Sequence, residues 1–248
     1  MVMKILVVVM SCHKNWHLWK DILDNIKEDL IIFSYSPKAE NWYDENHRIL
    51  YLNCRDTYEC LPEKIICMID QVSKLSCFDS YTHILKIDDY EAMNLTEKKI
   101  KNLYTFEEIE RADYIGQNYI HVHNNKHYDG ARIYHFGKVT PFSYWDNMEY
   151  NGSFVSWLNG GRSYILSKKA MTYINQEYNF TNLDVLYQNE IYEDVMIAKI
   201  LHKYNIFPSE LDYGITTFEF PPAIEVPPVI EVPPVIEVPP VIETSNNV

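Results

Sequence analysis

Residues 83–91 read His-Ile-Leu-Lys-Ile-Asp-Asp-Tyr-Glu, an apolar run that stops abruptly at two aspartates. The run predicts a buried strand over residues 82–87, because it is short and rich in branched aliphatic side chains. Carboxylates directly after a buried strand concentrate negative charge at one sheet edge, which a hard divalent cation would offset. Taken alone, however, Asp88 and Asp89 more often belong to a helix N-cap or to a solvated loop.

Strand-like and helix-like segments alternate before this stretch. The patterns predict strands at residues 4–10, 29–35 and 48–53, and helices at residues 16–26 and from Pro62 onward. This β-α-β-α-β order predicts an α/β fold, with a mixed, mostly parallel, Rossmann-like sheet flanked by helices in a single domain. The second half is expected to add strands at residues 113–122, 131–136 and 162–167, and helices at residues 168–177 and 191–204.

Two strand ends carry polar side chains that suit ligand binding. They are Ser11-Cys12-His13-Lys14 after the first strand and Asp88-Asp89 after the fourth. In open sheets of this class, ligands bind beyond the carboxyl ends of the strands. We therefore expect the functional site at this edge of the sheet.

Composition limits the partners of the chain. A formal net charge of -13 repels phosphate backbones, so nucleic acid and anionic membranes are not expected to bind. A nucleotide ligand would need either a bound cation or a local basic pocket. Five cysteines without a C-x-x-C pair indicate a reducing compartment, and no apolar stretch is long enough to span a bilayer. We expect a cytoplasmic protein, located in host cytoplasm or a virion if the gene is viral.

The C-terminal segment differs from the rest of the chain. Residues 221–243 repeat PPAIEV, PPVIEV, PPVIEV and PPVIE with a six-residue period. Paired prolines exclude helix and central strand, so an extended spacer is expected. We predict a folded domain at residues 1–220 and a disordered proline-rich tail at residues 221–248. The repeat either has no function or docks an unknown partner.

Four motifs, in the same order, resemble the inverting β-1,3-galactosyltransferase and Fringe-like glycosyltransferases. Cys77 to Asp89 (CFDSYTHILKIDD) is similar to a strand that ends in K-x-D-D-D, and Asp56 to Lys64 (DTYECLPEK) to a D-S-Y-x-N-L-x-x-K helix entry. Trp157 to Ser167 (WLNGGRSYILS) resembles the Y-x-x-G-x-G-Y-V-L-S segment, and Glu193 to Val195 matches E-D-V. Together the motifs cover residues 56 to about 200 of this chain.

The resemblance implies a GT-A-type enzyme that moves a sugar from a UDP-sugar donor to a hydroxyl of a glycan or glycoprotein, with inversion. It also implies that Asp88 and Asp89 hold Mn²⁺ or Mg²⁺ together with the diphosphate of the donor. This chain departs from the family where Tyr90 replaces the third aspartate. A phenol is a poor ligand for Mn²⁺. Either Asp88 and Asp89 take over the role of the third aspartate, or Glu91 helps, or metal binding is weakened.

The resemblance also implies roles for individual residues. Asp194 takes the place of the catalytic base, while its position alone also fits an acid at a helix N-terminus. Trp157, Gly160, Gly161 and Glu193 are expected at the acceptor or sugar; Trp157 is nearly as well explained as a core residue, and the glycines as an ordinary turn. The residues expected at the donor are Ser11, Lys14, Asp56, Lys64, Lys86, Asp88 and Asp89.

Three other hypotheses remain open from the sequence. A catalytically inactive relative could bind a sugar nucleotide or glycan and act as an adaptor, and Tyr90 favours this alternative. A nucleotidyltransferase would be expected to carry a glycine-rich basic loop after the first strand, which SCHKNW is not. His121 and His123 would share one face of a strand, and with His127 they offer a weaker candidate metal site.

Overall fold

The computed structural model of the chain describes residues 2–27, 29–122 and 129–215. The strands are β1 (Ile5–Met10), β2 (Leu30–Tyr35), β3 (Trp42–Asp44), β4 (Ile49–Leu52), β5 (His83–Asp88), β6 (Tyr114–Gly116), β7 (Tyr119–Ile120), β8 (Trp157–Leu158), β9 (Ser163–Ser167) and β10 (Ser209–Glu210). The helices are α1 (Trp16–Asn25), α2 (Leu61–Lys74), α3 (Asp89–Ala92), α4 (Glu97–Leu103), α5 (Glu107–Arg111), α6 (Asp129–Arg132), α7 (Lys168–Glu177), α8 (Leu183–Asn189) and α9 (Glu193–Lys203).

The main sheet is mixed and mostly parallel at its centre, as predicted. Its strand order is β10-β6-β9-β5-β1-β2-β4-β3. Strand β1 pairs in parallel with β2 and β5, and β2 pairs in parallel with β4. Strand β9 runs antiparallel between β5 and β6, and β3 is an antiparallel edge strand. The carboxyl ends of β1, β2, β4 and β5 therefore meet at one edge of the sheet.

Successive side chains of the central strands pack against helices on opposite faces of the sheet. In β1, the side chains of Leu6 and Val8 pack into a core with α2, α7 and α9. Those of Val7 and Val9 pack into a second core with α1, α4 and α5. Since successive side chains of a strand point to opposite faces, both faces of a central strand are apolar. This explains the continuous hydrophobic run of β1.

Local signals account for several helix ends. Pro62 lies in the first turn of α2, where a missing backbone N–H costs no hydrogen bond. The Ser167 hydroxyl caps α7 by accepting from the backbone N–H of Ala170 at 3.1 Å. The Thr96 hydroxyl accepts from the N–H of Lys99 at 3.3 Å and caps α4.

Two strand predictions in the second half were wrong in detail. Residues 113–122 form β6 and β7 rather than one strand, because Asn118 adopts a left-handed conformation with φ 61° between them. The segment 131–136 is not a strand. It continues from α6 into turns, and the His135 ring contacts the Tyr192 hydroxyl at 2.7 Å. The partner of His135 lies 57 residues away in the sequence, and no pattern in residues 131–136 reveals this contact.

Within the described residues, no helix is both long enough and apolar enough to cross a bilayer. The proline-rich tail at residues 221–248 lies outside the described residues, as do His123 and His127 of the alternative histidine site. His121 is described, and its ring packs edge-on against Tyr119 with 4.0 Å between centroids.

Candidate active site

A buried lysine connects the two acidic segments of the sequence. Lys86 projects from β5 on the face that α9 covers, and its side chain is 0% exposed. Its Nζ donates to Asp88 Oδ1 at 2.7 Å and to the Gly160 carbonyl at 2.8 Å. The same Nζ lies 3.5 Å from Glu193 Oε1. Residues 88 and 193, far apart in sequence, are therefore neighbours around one ammonium group.

The carboxylate of Asp194 is held by backbone amides in the first turn of α9. The N–H of Gly160 donates to its Oδ2 at 3.0 Å, and the N–H of Val195 donates to its Oδ1 at 2.8 Å. Burial raises the pKa of Asp194 above its ordinary value, while these two amide donors lower it in part. The result is a fixed carboxylate that is a stronger base than an exposed aspartate.

Gly160 is required by packing against α9. A Cβ at this position would overlap Glu193 Oε2 and lie 3.0 Å from the Asp194 Cβ. The neighbouring Gly161 is exposed, and a Cβ there would lie 3.3 Å from Asn159 Oδ1 and 4.0 Å from Asp88 Oδ2. The absence of a Cβ at Gly160 therefore lets this loop lie against Glu193 and Asp194, the acidic pair of the chain.

Glu193 is buried, and its pKa lies near neutral pH. Burial raises the pKa of Glu193 to about 7; Lys86 and the Tyr164 hydroxyl lower it, and Asp194 and Asp88 raise it. The Tyr164 hydroxyl donates to Glu193 Oε1. Burial alone would lower the pKa of Lys86, but Asp88 and Glu193 raise it above the ordinary lysine value. Lys86 therefore stays charged, and Glu193 titrates.

Asp89 faces the opposite side of the sheet. Its Oδ2 accepts from Ser11 Oγ at 2.7 Å and from Asn15 Nδ2 at 2.9 Å, and its Oδ1 accepts from the Tyr90 N–H at 2.9 Å. Trp19 Nε1 donates to Ser11 Oγ at 2.7 Å. These contacts anchor the loop after β1 and α1 to the end of β5. Both oxygens of Asp89 are committed to protein donors.

The expected metal pair does not form a common ligand set. Asp88 and Asp89 are consecutive at a strand end, so their side chains diverge to opposite faces. Glu91, a further candidate, accepts from Arg162 Nη1 at 3.3 Å. Among the residues that the structure describes, no three or more His, Cys, Asp or Glu side chains are grouped to hold a metal ion. The donor set therefore does not fit a cation held jointly by Asp88 and Asp89, which differs from the sequence expectation.

Asp56 and Lys64 join the loops after β1 and β4. The Lys64 ammonium is buried, pairs with Asp56 Oδ1 and donates to the Ser11 carbonyl at 3.1 Å. Asp56 Oδ2 accepts from the backbone N–H of His13 at 2.7 Å. These residues, expected to bind the donor directly, act in the structure as supports for the loop that carries Lys14.

A cleft of 560 Å³ adjoins these loops. The residues that matter for its chemistry are Cys12, Lys14, Asp56, Tyr58, Lys138 and Thr140. The cleft also comes near the acidic pair, because Asp194 and Glu193 are among the charges that raise the pKa of Tyr58, after burial. Lys138 and Thr140 were not predicted, since they follow a segment that the pattern misassigned as a strand.

Trp157 occupies the core rather than an open surface. It is 6% exposed, and its ring lies 5.7 Å from that of Phe154. The position of Trp157 therefore supports its interpretation as a core residue, which the sequence had left open. Tyr90, which replaces the third aspartate of the related motif, is 66% exposed.

No protein-family model and no curated protein sequence matches the chain. Similar solved structures include 4-diphosphocytidyl-2C-methyl-D-erythritol synthase from Anaerococcus prevotii, with 11% identity, a TM-score of 0.37, and coverage of 87% of this chain and 90% of that chain. Another is CMP:2-keto-3-deoxy-manno-octonic acid synthetase complexed with CTP, with 8% identity, a TM-score of 0.41, and coverage of 84% and 90%. At this level of similarity, the two structures do not distinguish one function from another.

The two adjacent glycines allow a matched test of the packing at α9. Gly160→Ala is expected to destabilise the fold by about 1–3 kcal/mol, since its Cβ overlaps Glu193 and forces the acidic pair to move. Gly161→Ala should cost less than about 1 kcal/mol, because only the Asn159 side chain has to shift. Denaturant unfolding of both variants measures the difference. Equal losses would contradict the role given to Gly160.

Glu193 predicts a specific pH dependence of stability. Its folded-state pKa of about 7 lies above the reference value of 4.5. The stability that the protonated Glu193 contributes to the fold is therefore fully present below pH 4.5 and is lost as the pH rises to about 7. Glu193→Gln removes this titration. Relative to wild type, the variant should gain on the order of 2 kcal/mol between about pH 5 and about pH 8.

The measurement is the free energy of unfolding of wild type and Glu193→Gln across that pH range. Glu108→Gln, on the exposed side of α5, controls for the loss of one carboxylate. A difference between wild type and Glu193→Gln that stays constant with pH would show that Glu193 does not titrate in this window.

Proposed function

We propose that the chain is an inverting glycosyltransferase that moves a sugar from a nucleotide-sugar donor, of the UDP-sugar type, to a hydroxyl of a glycan or glycoprotein. The observation that carries the proposal is the placement of Asp194. Its carboxylate is held by two backbone amides in the first turn of α9, and its charge acts on Tyr58, which lines the cleft. The four motifs that resemble Fringe-like enzymes support the same assignment.

Asp194 has the properties that a general base requires. Burial raises its pKa toward the working pH, which strengthens it as a proton acceptor. The amides of Gly160 and Val195 fix its orientation, so little reorganisation is needed during the reaction. Lys86 maintains this arrangement through its contact with the Gly160 carbonyl.

The proposed reaction is a single displacement at the anomeric carbon. The acceptor hydroxyl gives its proton to Asp194 as its oxygen forms the new bond to C1. The bond from C1 to the diphosphate oxygen breaks, and its electron pair leaves with the nucleoside diphosphate. Attack opposite the leaving group inverts the configuration at C1. For this reaction, the chain has to supply only a base and groups that stabilise the leaving diphosphate.

Asp194→Asn tests the base directly. The substitution keeps the size of the side chain and one hydrogen-bond acceptor but removes the basic oxygen. We expect donor hydrolysis and sugar transfer to fall by about 10²- to 10⁴-fold, while the affinity for UDP changes by less than about twofold. Product formation from a panel of UDP-sugars and calorimetric UDP binding provide the two readouts.

Asp184→Asn is the matched control, because Asp184 is an exposed acid in the first turn of α8. Unchanged turnover in Asp194→Asn would refute the assignment of the base. A wild-type protein that binds UDP but turns over no donor would favour the inactive, adaptor-like alternative.

A further inference from the structure

The chain needs a source of positive charge if it is to bind a nucleotide. Its formal net charge is -13, and a nucleoside diphosphate is itself strongly anionic. Long-range repulsion therefore opposes binding unless a local cation compensates for it. The sequence leaves two sources open, a bound metal ion or a basic pocket.

The carboxylates expected to hold a metal are engaged with protein groups. Both oxygens of Asp89 accept hydrogen bonds, and Asp88 Oδ1 accepts from Lys86. Glu91 pairs with Arg162. Two carboxylate oxygens at this strand end, Asp88 Oδ2 and the buried Oε2 of Glu91, accept no hydrogen bond within the described residues, and Tyr90 supplies no carboxylate. The donor set thus offers little to a hard cation, which prefers several oxygen ligands.

The cleft beside this strand end carries a positive charge of its own. Its acidic residue, Asp56, is neutralised by the buried ammonium of Lys64. Lys14 and Lys138 also line the cleft, and neither forms an ion pair with a carboxylate of the described residues. Neither of these ammonium groups is therefore neutralised by a direct ion pair among the described residues, in a protein whose formal net charge is -13.

Lys138 is held in place by two aromatic rings. Its Nζ lies 3.1 Å from the centroid of the Tyr134 ring and 5.7 Å from that of Tyr58. Such cation–π contacts restrict a lysine side chain without neutralising its charge. Lys14 follows the loop that Asp56 and Asp89 anchor to the sheet. The Lys138 ammonium and the backbone segment that carries Lys14 are thus positioned before any ligand binds.

We propose that Lys14 and Lys138 bind the diphosphate of the nucleotide-sugar donor, and that donor binding requires no divalent cation. This inference rests on the proposed function. The cleft volume of 560 Å³ lies within the range of roughly 300–1,000 Å³ that is typical of small-molecule sites. In the transfer reaction, the two ammonium groups stabilise the negative charge that the departing diphosphate acquires.

The experiment is calorimetric binding of UDP to the full chain in excess EDTA, with pyrophosphate and uridine as separate ligands. Wild type should bind UDP in EDTA, with an affinity that added Mn²⁺ changes by less than about threefold and that falls as ionic strength rises. Lys14→Met and Lys138→Met should each weaken UDP binding by about tenfold, which corresponds to about 1.4 kcal/mol. Pyrophosphate binding should weaken in parallel, whereas uridine binding should not change.

Two further variants separate charge from structure. Lys14→Arg and Lys138→Arg keep the positive charge and should retain most of the affinity for UDP. Lys20→Met removes an exposed lysine on α1 and should leave binding unchanged. Circular dichroism of each variant verifies the fold.

The failure of this inference can be distinguished from failure of the proposed function. Donor turnover that depends on Asp194 but is abolished by EDTA and restored by Mn²⁺ would overturn the lysine proposal and leave the glycosyltransferase standing. UDP binding in EDTA that is insensitive to both lysines would do the same. No binding of UDP under either condition would overturn both.

Discussion

The candidate site depends on one buried positive charge. The Lys86 ammonium is completely enclosed, and a buried charge is costly unless hydrogen-bonded partners surround it. Its partners come from three separate parts of the chain: the end of β5, the loop before β9 and the first turn of α9. Satisfying this single group therefore holds the two acidic segments together. Removing any partner would leave charge uncompensated in the core.

The sheet separates the consecutive aspartates into two roles. Asp88 belongs to the α9 face, with Lys86 and the acidic pair, whereas Asp89 belongs to the α1 face and anchors the loop after β1. The two aspartates, which resemble a metal motif in sequence, therefore make separate structural contacts on the two faces of the sheet. Positive charge for an anionic ligand is available instead from lysines in the neighbouring cleft.

Much of the fold was predictable from local patterns. The central strands and the helices α1, α2, α7 and α9 follow their predicted segments closely, because their periodicity reflects burial on one or both faces. The short strands β3, β8 and β10 were not predicted, since two or three residues carry no periodic signal. Residues 131–136 were misassigned as a strand, and the contact of His135 with the distant Tyr192 is one that local preference does not reveal.

The sequence by itself determined the fold class, the sheet edge at which the polar loops gather and the residue types available there. Those properties follow from hydrophobic periodicity and from the order of strands and helices. Only the tertiary structure decided which polar groups meet: that Gly160 packs against Glu193 and Asp194, that Lys86 links them to Asp88, and that Lys138 joins Lys14 in one cleft. The physical reason is that these contacts join segments distant in sequence, and side-chain direction at a strand end depends on which face each residue occupies.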